Sequence, residues 1–432
     1  MHVATTTLPP TRRRRIRRAA LTACLMVIAG YSFISLHGGL SRSVSLEHID
    51  LDVYRLGARA ILDRGNLYNA LPAAAPGISL PFTYPPVAAI LLAPLAVLPL
   101  ALDGLLSVAL TAALLGVVVR VTLRSAGMTG AALNWSMLVA LPCALILDPV
   151  RVTLVDGQID VVLMALVVWD VLGGGVRIGR RRIRGPLVGL AAAVKLTPAV
   201  FVLYFLARGR RRDAVAALVS FLLFTSLGFA IAPGDSTDYW HHDVLRTDRV
   251  GAAWYASNQS LRAVLTRSGL SGSALAAAWV LACSAVLALA WTAMRRNTSA
   301  PGALVTNAFA ELLVSPISWT HHWVWIVPGL ALLGTASRRT GVTSVRKLAV
   351  ATFALFALGP EWLLPHGDNR ELHWALWQQA IGGSYVWFAL FALTAAAFVP
   401  RPATAVPPGQ APAPAAARRP SGVEPVHVRN AR

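Results

Sequence analysis

Acidic residues are what this chain lacks most: 19 Asp and Glu stand against 39 Lys and Arg in 432 residues. A net charge of +20 would fit a nucleic-acid binder, yet the basic residues fall in short clusters between apolar runs. Positive-inside loops and anionic lipid headgroups account for such clusters, so nucleic acid is not an expected partner. Cysteine is nearly absent as well. Cys24, Cys143 and Cys283 each sit inside an apolar run, without CxxC spacing or an adjacent His, and read as lipid-facing or core filler rather than as disulfide or metal residues. No GxGxxG, Walker A, HExxH or GxSxG motif occurs in a plausible context, which leaves soluble nucleotide chemistry without support.

What is present is apolar. Hydrophobic residues make up 56% of the chain and charged ones 13%, with a mean hydropathy of +0.59. That is more apolar surface than one soluble core can bury, so the expected class is all-α, a polytopic transmembrane helical bundle. Residues 1–18 end in RRRRIRR and read as a basic cytoplasmic N-terminus. The run from Ala19 to about Leu36 has no A-x-A site and reads as an uncleaved first helix, a signal peptide being the alternative. FTYPPVAAILLAPLAVLP, Phe82 to Pro99, carries four prolines and reads as a broken helix of the kind that borders a site. Further runs near 102–122, 132–148, 158–175, 186–207, 214–232, 272–294, 303–317, 320–336, 347–364 and 375–399 bring the expected count to about twelve spans. The transmembrane domain would then occupy 19–399, with outer loops near 37–82 and 233–271. The Pro-, Ala- and Arg-rich stretch 400–432 reads as a disordered cytoplasmic tail.

Loop charge tests this count. Arg208 to Arg212, Arg295 with Arg296, and Arg338 to Lys347 fall on the cytoplasmic side as the positive-inside rule requires. RIGRRRIRG, Arg177 to Gly185, falls outside and breaks it. Either some runs between about 80 and 207 are half-helices or re-entrant segments, or this loop is an exception.

The scarce carboxylates gather in EHIDLDVYRLGARAILDRGNLYN, which holds Glu47, Asp50, Asp52 and Asp63. Val53, Leu56, Ala60 and Ile61 recur at helical spacing, as in a short surface-lying helix with its polar face toward an aqueous cavity. Asp50 and Tyr54, four apart, would share that face. Asp50 or Asp52 capping the helix N-terminus is the competing reading. Other polar islands interrupt the apolar runs: Asp156 to Asp160 with Gln158, Lys195 in mid-run, Asn307 with Glu311, Asn258-Gln259-Ser260 followed by an amphipathic stretch with Arg262 and Arg267, and His321-His322 among Trp319, Trp323 and Trp325. Ionisable residues at membrane depth are functional candidates, because lipid disfavours them strongly. Asn369, Glu371 and His373 need only solvation in a last outer loop. Together these parts suit group transfer from a lipid-linked donor: a carboxylate takes the proton of an attacking hydroxyl, cations and amides hold a leaving phosphate, and aromatic rings stack on sugars.

The set DLDVYRLGARAILDRGNLY, FTYPPVAAILLAPLAVLP, GQID, AAAVKLTP, NQS and SPISWTHHW resembles, in order, the polytopic glycosyltransferases of family 87, in the C-type superfamily. Their best-known members are actinobacterial polyprenyl-phosphate-mannose-dependent alpha-1,2-mannosyltransferases. The resemblance implies transfer of mannose from polyprenyl-phosphate-mannose to a glycolipid, lipoglycan or glycan hydroxyl, with inversion and without a metal or other cofactor. The reaction would run at the outer face of the plasma membrane, among membrane lipids. The family's outer-loop aspartate falls on Asp50, implied as general base, with Asp52 at a variable position. Donor or acceptor binding is assigned to Tyr54, Tyr84, Gln158, Lys195, Asn258, Gln259, Arg262, His321 and His322. Asp160 stands where the family's GQxN carries Asn. A lipid or solute transporter or flippase is the rival reading, against which the hydropathy pattern offers no clear internal repeat.

Overall fold

The computed structural model describes residues 48–69, 71–74 and 79–398. The basic N-terminus, the first expected span, Glu47 and the C-terminal tail lie outside the described residues. In order the helices are α1 (Ile49–Leu62), α2 (Pro86–Leu91), α3 (Leu100–Ser125), α4 (Gly130–Ile146), α5 (Asp148–Asp156), α6 (Asp160–Val168), α7 (Pro186–Val194), α8 (Val202–Ala207) and α9 (Arg211–Ile231). They continue as α10 (Pro233–Asp238), α11 (Leu261–Arg267), α12 (Gly272–Arg296), α13 (Ala300–Val314), α14 (Ile326–Thr340), α15 (Thr343–Leu358), α16 (Leu376–Gly382) and α17 (Ser384–Phe398). One antiparallel hairpin, β1 (Val176–Ile178) and β2 (Arg181–Ile183), is the only sheet among the described residues.

The count of about twelve spans is not confirmed by helix length and composition among the described residues. Three described helices, α3, α9 and α12, are long and apolar enough to cross a membrane, or five if the bent pairs α4 with α5 (68°) and α16 with α17 (67°) each count as one span. Phe82 to Pro99 makes only the six-residue α2 and a 3-10 turn at Ala93–Val97, because its prolines deny the backbone a continuous hydrogen-bond ladder. An apolar run reports burial, and a helix buried among helices reads like one in lipid.

The run 186–207 is the clearest departure. The start of α7 lies against the start of α9: Ser220 Oγ donates to the Pro186 carbonyl at 2.7 Å, and a Cβ on Gly185 would lie 2.1 Å from the Asp213 carbonyl oxygen. From there α7 rises about 14 Å, at 1.5 Å per residue, to Lys195. The chain then reverses through a 3-10 turn, Thr197–Phe201, and returns by α8 to Arg210, the residue that precedes α9. Both ends of the run are thus at one level, and its tip is Lys195. Arg208 donates to the carbonyls of Met294 and Asn297, joining its cluster to the end of α12. The hairpin arginines, Arg208 to Arg212 and Arg295 with Arg296 therefore share one end of the bundle. Arg177–Gly185 and Arg208–Arg212 thus lie at the same end of the bundle, as the half-helix or re-entrant reading of a run between about 80 and 207 would have it.

At the other end, α1 is clamped sideways. Arg55 pairs with Asp103 at 2.7 Å and Asp52 at 2.9 Å, and donates to the carbonyls of Leu95 and Leu98. Gly57 admits the Phe82 ring so closely that a Cβ would lie 2.4 Å from it.

This topology predicts the outcome of thiol labelling in a background whose native cysteines are replaced. Arg181→Cys and Arg212→Cys should react with an impermeant reagent from one side of the membrane and Leu245→Cys, in the loop beyond α10, from the other. Opposite-side labelling of the first two would overturn the re-entrant turn.

Candidate active site

A cavity of about 590 Å³ opens between α1, the segment before α2, the Lys195 turn, the 239–262 region and the 311–322 region. Of the ten residues singled out from the sequence, eight line it: Asp50, Tyr54, Tyr84, Gln158, Lys195, Arg262, His321 and His322. They come from elements far apart in the chain, each placed by a local device.

Asp50 lies in the first turn of α1, whose N-cap, His48, is held by its own N–H to the Val155 carbonyl; no side chain caps this helix, so the capping role weighed for Asp50 and Asp52 is not observed. The two acids diverge. Asp52 turns to Arg55, while Asp50 faces the cavity with Tyr54. Gly157 closes α5 with φ of 70° and lies so near Leu51 that a Cβ would be 2.6 Å from its side chain, which brings Gln158 beneath α1. Tyr54 Oη donates to Gln158 Oε1 at 2.8 Å, and Gln158 hydrogen-bonds the Asp50 carboxylate through its amide. With the Tyr54 proton committed, Tyr84 Oη donates to Tyr54 Oη at 3.1 Å. Burial pushes the Asp50 carboxyl up to about 6, against the lowering pull of the Gln158 hydrogen bond. A carboxyl so placed is ionised at neutral pH but more basic than an exposed one.

Facing this relay, Lys195 Nζ donates to Asp160 Oδ1 at 2.7 Å, contacts His322 Nε2 at 3.0 Å and stands 5.6 Å from the Tyr84 ring centroid. Asp160 is thus the counter-charge for a buried lysine. The segment bearing the two histidines is anchored by Trp323, which is fully buried against Phe309, Phe356 and Tyr385. Among the described residues, Asp160, His321 and His322 bring ligand atoms within 4.8 Å of one another, a spacing that suits a metal ion. Lys195 Nζ already bonds Asp160 Oδ1 and His322 Nε2, while Asp160 Oδ2 and His321 Nε2, 3.8 Å apart, have no hydrogen-bond partner among the described residues.

Sequence reasoning missed part of the rim. Arg246, Thr247, Arg249, Tyr68, Tyr239 and Trp279 also line the cavity. Arg249 is committed to Asp243 at 2.5 Å, whereas Arg262 donates to Thr247 Oγ1 at 2.7 Å and stacks 5.7 Å from Trp279. Arg246, Thr247 and Arg249 fall between α10 and α11, where their spacing carries no periodic signal. Glu311 reaches the cavity and Asn307, fully buried, donates to the Val200 carbonyl, so both face inward as their spacing predicts.

The cavity sets the Asp50 carboxylate opposite the buried Lys195 cation, among aromatic rings and arginines, an arrangement suited to group transfer. The profile of glycosyltransferase family 87 matches residues 82–316. The chain belongs to glycosyltransferase family 87 and is a glycosyltransferase, which decides against the transporter reading. It is 41% identical to a polyprenol-phosphate-mannose-dependent alpha-(1-2)-phosphatidylinositol mannoside mannosyltransferase of Mycolicibacterium smegmatis, over 79% of this chain and 81% of that protein. A protein of the same name from Mycobacterium tuberculosis is 38% identical, over 81% and 84%. A second Mycobacterium tuberculosis protein, named for a phosphatidylinositol pentamannoside, is 35% identical over 83% and 81%. No solved structure matches the chain.

Asn258 and Gln259 are placed elsewhere than the sequence reading put them. Neither lines the cavity. Asn258 donates to the Ala253 carbonyl and accepts from Ser318 N–H, while Gln259 donates to the carbonyls of Ala256 and Gly382. Both are fully buried and splice the 253–260 loop to the segment carrying Trp319 and the histidines. Glu371, expected to be solvated, is 1% exposed and accepts from the N–H groups of Ala256 and Gly367. Glu371→Ala leaves the buried Ala256 N–H and the part-buried Gly367 N–H without this partner, and should lower the stability of the detergent-solubilised protein by roughly 1 to 3 kcal/mol, read as a fall in its thermal unfolding midpoint.

Proposed function

We propose that the protein moves mannose from polyprenyl-phosphate-mannose to a hydroxyl of a phosphatidylinositol mannoside or related glycolipid, forming an alpha-1,2 linkage with inversion, at the outer face of the plasma membrane. The donor and acceptor classes follow the printed names of relatives that are 41% and 38% identical. The observation that carries the mechanism is the Asp50 carboxylate, facing the cavity and bound through Gln158 to the tyrosine relay, with Lys195 opposite. The acceptor oxygen bonds to C1 of the sugar as the C1–O bond to phosphate breaks. The hydroxyl proton passes to Asp50, and the bonding electron pair leaves on the phosphate. Phosphate departs without a proton, so one carboxylate suffices where glycoside hydrolysis uses two. Lys195 Nζ holds two of its three donors on Asp160 and His322, leaving one for the leaving phosphate. Arg262 and Arg246 at the mouth meet lipid phosphates. The outward orientation rests on the basic clusters at the opposite end of the bundle.

The test is transfer by purified protein from radiolabelled polyprenyl-phosphate-mannose to phosphatidylinositol mannosides, with linkage analysis of the product. Asp50→Asn should lose about 10²- to 10⁴-fold in kcat, the usual contribution of a general base, with donor binding retained; near-normal turnover would move the base elsewhere. The base form of Asp50 disappears as pH falls through about 6, so kcat/KM should drop about tenfold from its plateau by pH 5. Lys195→Gln should raise the donor KM by about tenfold or more, and an unchanged KM would leave Lys195 a structural role only.

A further inference from the structure

A second cavity, of about 490 Å³, lies apart from the active site, walled by α3, α4, α14 and α15. Its size falls in the range of ligand sites, about 300 to 1,000 Å³. The walls form because α4 packs on α3 and α15 packs on α14, while α3 and α14 pack on each other, leaving a cleft between the outer pair. Val139 and Val350 at its lips are 55% and 63% exposed, so the cleft opens sideways to the surroundings of the apolar helices. The interior is almost wholly apolar, and its lining holds no carboxylate. Two cations close one end. Arg338 donates to Ser136 Oγ at 2.8 Å, and Arg346 lines the cavity; neither has an ion-pair partner among the described residues. They sit at the end of α14 remote from His321 and His322, about 18 Å along the helix from Ile326.

An apolar slot open to the bilayer, ending in two uncompensated arginines, has the shape and charge of a site for a lipid whose headgroup carries negative charge. From this geometry we infer that the cleft is a binding site for one anionic phospholipid, with its acyl chains between α4 and α15 and its phosphate on Arg338 and Arg346. The inference is independent of the donor, the acceptor and the base assigned above. The lipid would tie α15 to the bundle where helix packing alone leaves a gap, and it would enter from the leaflet at the basic end.

Native mass spectrometry of the full chain in detergent, titrated separately with phosphatidylglycerol and phosphatidylcholine and then, in the phosphatidylglycerol complex, with polyprenyl phosphate, tests it. The first phosphatidylglycerol should bind at least fivefold more tightly than phosphatidylcholine and should not be displaced by polyprenyl phosphate. R338Q/R346Q should reduce that preference at least fivefold. Gly334→Leu adds a side chain to a lining position where a new Cβ meets nothing within 4 Å, so it should fill the slot without disturbing its walls and lower phosphatidylglycerol occupancy with both arginines intact. Equal binding of the two phospholipids, or retained preference in both variants, overturns the site. Displacement of that phosphatidylglycerol by polyprenyl phosphate, with a competition that R338Q/R346Q abolishes, overturns the assignment of the site to a phospholipid. Should R338Q/R346Q fail to fold, the Gly334→Leu comparison decides alone.

Discussion

The structure depends on keeping one ammonium charge inside an apolar bundle. Lys195 stands at the tip of a segment that enters the fold and turns back, and its Nζ bonds Asp160 at 2.7 Å and His322 at 3.0 Å. Removing one partner of such a buried pair leaves an uncompensated charge, which is strongly unfavourable in a medium of low dielectric constant. The pair therefore constrains three elements at once: the α7 to α8 turn, the start of α6 and the segment after α13. The cavity is the space that these constraints leave beneath α1.

The opposite wall obeys a different logic. Arg55 binds Asp103, Asp52 and two carbonyls, and so fixes the face that α1 presents. Because Asp52 is taken up by that clamp, Asp50 is left to the cavity, where only an amide holds it. The two carboxylates sit two residues apart in a helix and point in different directions, so their environments, and hence their roles, separate. The tyrosines extend the effect, since a relay from Tyr84 through Tyr54 to Gln158 keeps the amide oriented toward Asp50.

Much of the site was legible beforehand for a simple reason. Polar residues interrupting apolar runs are costly in lipid, so each island signals a partner or a task, and Gln158, Lys195 and His322 stood out on that ground, whereas Asp50 stood out because carboxylates are scarce in this chain. Asn258, Gln259 and Glu371 stood out or were dismissed by the same reasoning and proved to be loop-splicing groups, because a side chain's polarity does not reveal whether its partner is a backbone carbonyl or a ligand. Arg55, Arg246 and Arg249 gave no signal: a basic residue in a loop or an amphipathic helix looks solvated until a fold brings a carboxylate or a cavity to it.

The class of protein and its helical character were determined by the sequence itself, since both rest on composition and local spacing, while the family and the candidate base came from the resemblance of its ordered motifs. The number and course of the membrane-crossing elements were decided only in three dimensions. Apolar character states that a residue leaves water, not whether it meets lipid or another helix, and the return of the chain at Lys195 is made by contacts with α9 and Asp160 that are distant along the chain. The split between Asp50 and Asp52, the burial of Asn258 and the cleft between α4 and α15 are likewise properties of packing, which no local pattern encodes.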